Sequence, residues 1–118
     1  MKRDMDLIRQ ILLAVEAESQ GLIDSKYSKE QVAQHVALLQ EAGFVNAAIA
    51  RNHVNHPTAF VIHDLTWSGH EFLDAMRDDT LWNKTKEKFI KPGASWTAKA
   101  IFEYLKIEIA QRMGLSGG

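Results

Sequence analysis

Lysines, histidines and glutamines carry most of the chemistry open to this chain, because it contains no cysteine. That excludes thiolate catalysis, disulfides and sulfur-ligated zinc, and it fits a reducing cytoplasm. Lys84, Lys88 and Lys91 recur at i, i+4 and i+7 and so share one helix face, with Lys86 beside them. Aligned ammonium groups suit phosphate, and each phosphate neutralised would steepen the salt dependence of binding by about 0.9 in log–log slope. The plainer role of such a run is a solvated helix face. His53-x-x-His56 has a spacing at which two imidazoles can share an ion. A full site needs three or four ligands, and only His63 and Asp64 are near in sequence, so a polar turn is expected here and no metal. His35 and His70 lie in apolar surroundings on separate predicted helices, and Glu71 follows the second. An acid–base pair is one reading, and a hydrogen-bonded core histidine is the commoner one. Neither a Gly-x-Ser-x-Gly elbow nor a Gly-x-x-x-x-Gly-Lys loop is present, so no motif places a nucleophile or a nucleotide phosphate. The chain reads as non-enzymatic, with no cofactor.

The elements that must position these groups follow from periodicity. From Asp4 to about Glu18, Met5, Ile8, Leu12 and Val15 fall at helical spacing, widened by Leu7, Ile11 and Ala14, and Gly21 is the expected stop. Leu22 to Lys26 predicts one short strand. Ser28 with Gln31 three residues on forms a capping box that opens a helix carrying Val32, Val36 and Leu39 and closing at Gly43. Phe44 to Arg51 and Ala59 to Leu65 are β-compatible around a turn-rich Asn52 to Pro57, which predicts a hairpin. Thr66 then caps a helix to about Arg77. A further helix spans about Thr80 to Ile90 and stops at Pro92-Gly93, and a last one runs from Ser95 to Met113 with Ala98, Ile101, Phe102, Leu105, Ile109 and Met113 as its stripe. Trp67 and Trp82 read as core or interface anchors.

At 118 residues, 46% apolar and 25% charged, the chain has the profile of one soluble globular domain. Ile11 to Val15 is far shorter than the roughly 20 residues of a membrane span, and acids flank it, so neither a span nor a signal peptide is expected. Charge is unevenly placed. Residues 1–79 hold seven basic side chains against twelve acids, a formal −5, whereas residues 80–118 hold seven against three, +4. The basic third is the part suited to phosphate or to an acidic protein.

Helix, short strand, helix, hairpin and helices is the order of a winged-helix domain with its second helix reduced or missing. "LLQEAGFV" feeding a hairpin that closes on "LTWSGHEFL" resembles winged-helix regulators of the multiple-antibiotic-resistance and phenolic-acid-regulator types, whose wings often end in Leu-Thr-x-x-Gly, here Leu65, Thr66 and Gly69. "MKRDMDLIRQILLAVE", "YSKEQVAQHVALLQEAGFV" and "LTWSGHEFLDAMRDDTLWNKTK" together resemble the bacterial and phage family known as domain of unknown function 2513, over nearly the whole chain. That resemblance implies a prophage or mobile-element setting, no settled activity and no known catalytic residues.

The fold expected is therefore α+β and winged-helix-like, with a core over residues 1–78 and a C-terminal helical extension over 79–118 packed on it. In the recognition position, the helix from Ser28 would present Lys29, Gln31 and Gln34 to a major groove, with Arg51 on the wing and Lys84, Lys88 and Lys91 on phosphate. Glu30 and Glu41 on the same helix oppose that approach. Tyr104 and Ile107 lie outside the last helix's stripe and call for cover; by resemblance to the regulators, whose terminal helices commonly make the dimer, Ile101, Leu105 and Ile109 would contribute. The function expected is a small prophage-type binding protein acting on double-stranded DNA as a homodimer. The alternative is a protein-interaction module that modulates a host protein, with Ile107, Tyr104 or Leu38 in an exposed apolar patch.

Overall fold

The computed structural model describes residues 2–89, 96–112 and 114. It is a mixed α+β structure with, among those residues, five α-helices and one two-stranded antiparallel sheet. Helix α1, Met5–Ala17, starts where the Asp4 carboxylate accepts the Leu7 amide at 3.1 Å. It buries Met5, Leu7, Ile8, Ile11, Leu12 and Ala14 on the stripe that the spacing predicts. It ends near Glu18, as expected, but not on glycine. Glu18, with φ 53, takes the left-handed cap that Gly21 was to supply, and its amide bonds back to the carbonyls of Ala14 and Val15.

The strand expected over Leu22 to Lys26 does not form. A single 3-10 turn, Gln20–Leu22, is followed by a side-chain-held bend. The Gln10 amide oxygen accepts the Asp24 N–H at 2.8 Å, and the Asp24 carboxylate accepts the Lys26 N–H at 2.9 Å. Backbone groups that a neighbouring strand would need are taken locally.

Helix α2, Lys29–Glu41, has the full capping box. Ser28 Oγ accepts the Gln31 amide, and Gln31 Oε1 accepts the Ser28 amide. Gly43 follows at φ 86, as its position predicts. Strand β1, Val45–Arg51, then pairs with β2, Pro57–Leu65, from Val45 opposite Leu65 to Arg51 opposite Pro57. Register shifts leave His63 and Thr58 as the extra residues of two bulges, with regular pairing over Ala59–Ile62 between them.

Thr66 closes the hairpin as expected. Its Oγ1 accepts the Gly69 amide at 3.0 Å and donates to the Gly43 carbonyl, and its own amide donates to the Phe44 carbonyl. Helix α3, Trp67–Met76, begins here. A Cβ on Gly69 would lie 1.9 Å from that Phe44 oxygen, so only glycine lets α3 start against the β1 entry. Helix α4, Asp79–Phe89, is capped by Asp78, whose carboxylate accepts the Leu81 amide at 2.8 Å. Helix α5, Ala98–Arg112, starts on Thr97, which accepts the Ala100 amide. The expected helix ends at Ile90, Ser95 and Met113, and the Pro92-Gly93 stop, lie outside the described residues.

Two compact units result, Met1–His70 and Glu71–Gly118, whereas the sequence placed its boundary at 78. In the first, α1, α2 and the sheet pack around Ile8, Ile11, Leu12, Val36, Leu39, Phe44 and Val45. In the second, α4 packs on α5, and the Phe72 and Phe102 rings meet at 5.5 Å. Thr85 is fully buried there, and its hydroxyl donates to the Leu81 carbonyl at 2.8 Å. No helix among the described residues is long and apolar enough to cross a membrane.

Candidate interaction surfaces

The expected recognition residues do not all keep free side chains. Gln31 Oε1 accepts the Ser28 amide in the capping box, which ties the side chain to the start of α2. Gln40 Oε1 accepts the Ala47 amide, fixing α2 to β1. Lys29 is exposed, and Gln34 is half-buried in a cleft of about 330 Å³ lined also by Ala37, Leu38, Glu41, Arg51, His56 and Pro57. Arg51 Nη1 donates to the Asn55 carbonyl at 3.1 Å. The Asn52 side chain accepts the amides of Val54 and His56, and Asn55 has φ 66, so the hairpin tip is held by its own asparagines. The cleft therefore brings together Gln34 and Arg51 with one acid, Glu41, and an apolar floor.

His53 and His56 are exposed at the same tip. Among the described residues no group of three His, Cys, Asp or Glu side chains is close enough to hold a metal ion. His35 is buried and hydrogen-bonded through both ring nitrogens, and burial lowers its pKa. His70, expected in apolar surroundings, is exposed. Burial, and then the Asp4 carboxylate, push the Tyr27 hydroxyl above the usual phenol range.

Two members of the lysine stripe, Lys84 and Lys88, are engaged within their own unit. Lys84 Nζ lies 3.0 Å from Glu108 Oε2. That contact raises the Lys84 pKa and lowers that of Glu108. Lys88 stands over the Tyr104 ring at 5.1 Å, and Tyr104 meets Phe89 edge-on at 5.7 Å. Lys91 lies outside the described residues. Along α5, Lys106 lies 5.0 Å above the Phe102 ring and 3.9 Å from Glu103. Arg112 reaches Asp78 at 3.1 Å; that carboxyl is held below its ordinary pKa by the Leu81 amide first and by Arg112 second.

The expected dimer residues separate into two groups. Ile101 and Leu105 are fully buried and belong to the core, because the stripe that a partner was to cover is already covered within the chain. Ile109 and Tyr104 are half-buried, and Ile107 is 56% exposed. Trp82 is buried as expected, but Trp67 is not a core residue. Its indole is 82% exposed. Leu22, Val54 and Val61 are also at least half exposed, and only Leu22 stood out in the sequence, as part of the strand that does not form.

One concave surface has no counterpart in the sequence reading. A groove of about 510 Å³ runs beside β2, between Ile11, Ala14, Val15 and Ile23 on one side and the consecutive residues Phe60 to Leu65 on the other, with Glu16, Glu18, Ser19 and His70 at its margins.

Residues 2–95 match the family profile described as Hypothetical protein (DUF2513). The chain belongs to this family. Within DUF2513 it is similar to a protein of Haemophilus influenzae described as uncharacterized, with 36% identity over 119 residues that span 96% of this chain and 99% of that relative. No solved structure matches the chain. The matched DUF2513 region contains α1 to α4 and the hairpin, so the groove, the cleft and the capping box all fall inside it.

Proposed function

We propose that this protein is a small non-enzymatic binding module of prophage type, working in the cytoplasm, that docks another protein through its first unit. The order α1, reduced second helix, α2, hairpin and α3 is read as a winged-helix-like arrangement whose recognition surface has turned from nucleic acid to protein. One observation carries this reading: Leu22, Val54, Val61 and Trp67 stand in solvent on a single small unit. Large exposed apolar side chains, an indole above all, are the usual anchors of protein interfaces. The prophage setting follows from the family resemblance.

Double-stranded DNA is the second reading, favoured by Lys29 and Arg51, which are exposed at the start of α2 and on the hairpin. Two such cations would give a salt slope of only about −1.8, the signature of weak binding. Glu30 and Glu41 on the same helix oppose it further.

Fluorescence anisotropy of a labelled random duplex, titrated with the protein across a salt series, separates the two readings. No binding is expected. A signal that weakens steeply with salt and disappears in a Lys29→Glu, Arg51→Glu variant would overturn the protein-docking reading in favour of nucleic acid.

A further inference from the structure

We propose that the groove beside β2 binds an extended, lysine- or arginine-bearing peptide segment of a partner protein, which adds to β2 as a third strand. The inference rests on the protein-docking reading and specifies its site and ligand class. Six consecutive β2 residues, Phe60 to Leu65, line the groove. Successive side chains of a strand point to opposite faces, so a groove over one face would be lined by alternate residues. Phe60, Val61 and Ile62, which precede the bulge at His63, all line it, and so place it along the strand's edge.

That edge is open because the strand expected from Leu22 to Lys26 does not form, and β1 is the only strand beside β2 among the described residues. Alternate N–H and C=O groups along β2 consequently point away from β1, which is the arrangement that captures an extended chain. Regular geometry holds over Ala59–Ile62, between the bulges at Thr58 and His63, and Phe60–Ile62 of it line the groove, so the added ladder is about three residues long, roughly 10 Å. Opposite it, the partly exposed Val15 and Ile23 offer apolar contact to the incoming strand, backed by the buried Ile11 and Ala14.

Charge selects the occupant. Every Asp, Glu, Lys or Arg lining the groove is an acid: Glu16, Glu18 and Asp64. Asp64 also accepts from the Asn46 side chain at 2.7 Å, which holds its carboxylate in place. A peptide alternating aliphatic and cationic residues meets the apolar wall and the acidic margins together, whereas an acidic strand or a nucleic acid backbone is repelled.

The test is an amide-resolved NMR titration of the full chain with the blocked hexapeptide Lys-Val-Lys-Val-Lys-Val. The expected result is shifts concentrated at Phe60 to Leu65, slowed hydrogen exchange at outward-facing β2 amides, and a several-fold loss of affinity in Glu18→Gln. A version N-methylated at alternate residues should bind at least tenfold more weakly, and the Glu-Val repeat should not bind. Equal binding of the N-methylated peptide, shifts confined to other surfaces, or no response at millimolar peptide would overturn strand addition. Shifts around Trp67 without any at β2 would reject this site alone, while salt-sensitive duplex binding would reject the reading beneath it.

Discussion

The backbone amide of Asp4 donates to Nε2 of His35 at 2.9 Å, across 31 residues, while the other ring nitrogen stands 2.7 Å from the Gln31 carbonyl oxygen. Only a neutral imidazole with its hydrogen on Nδ1 satisfies both partners. The ring therefore joins the N-cap of α1 to the first turns of α2. A second proton would set a donor against a donor, and burial already lowers the His35 pKa. The unfolded chain then takes up the proton first as pH falls. Stability from this group is full above the ordinary histidine value of 6.5 and is lost on acidification below it, with a slope of at most about 1.4 kcal/mol per pH unit. Denaturant titrations at a series of pH values should show that decline, and His35→Gln should flatten it.

Ser28→Ala removes the hydroxyl that caps α2 and leaves the Gln31 amide without its acceptor. A loss of about 1 kcal/mol is expected in urea unfolding, with an unchanged m-value.

Gly69→Ala should be far more damaging, because the new Cβ would sit 1.9 Å from the Phe44 carbonyl oxygen, a backbone atom that cannot swing aside. More than about 2 kcal/mol is expected, or failure to fold. Thr66→Val, which removes the side-chain bonds at the same junction, should lose about 1 kcal/mol and still fold.

The tryptophans should behave oppositely. Trp82→Ala empties a buried site and should destabilise by about 3–5 kcal/mol. Trp67→Ala should leave stability within about 0.5 kcal/mol, since its indole is 82% exposed. Acrylamide quenching checks the same difference, with the most accessible component lost in the Trp67 variant and that of the half-buried Trp96 retained.

Glu108→Gln would release Lys84 from its ion pair. Thermal unfolding should move little, because exposed pairs contribute little. Elution from a phosphocellulose column at low salt should come slightly later than for the parent protein, since one more ammonium group becomes available to phosphate.

What the sequence made legible is what neighbouring residues decide among themselves. Ser28 with Gln31, Gly43 and Thr66 each complete a local hydrogen-bond or φ requirement, and each stands where its spacing predicts. The site residues depended on partners far along the chain. Lys84 and Glu108 are 24 residues apart, and nothing in the lysine periodicity announces that carboxylate. The Leu22 to Lys26 segment carried strand-like residues, but Gln10 and Asp24 capture its backbone, and the first of these belongs to the preceding helix. Trp67 read as an anchor by its type. Which way its indole faces follows from Gly69 seating α3 against Phe44, a contact that exists only once the hairpin has closed. The groove escaped notice because one side comes from α1 and the other from β2, segments more than forty residues apart in the chain.

Glu18 holds the left-handed end of α1, with φ 53, a conformation that costs an L-residue about 1 kcal/mol and glycine almost nothing. Glu18→Gly should accordingly raise the melting temperature while removing a carboxylate from the margin of the groove. A chain tuned for rigidity alone would carry glycine at this position. Glutamate there spends folding free energy to keep a negative charge where an arriving strand would meet it, so the most stable version of this domain is expected to be a poorer binder.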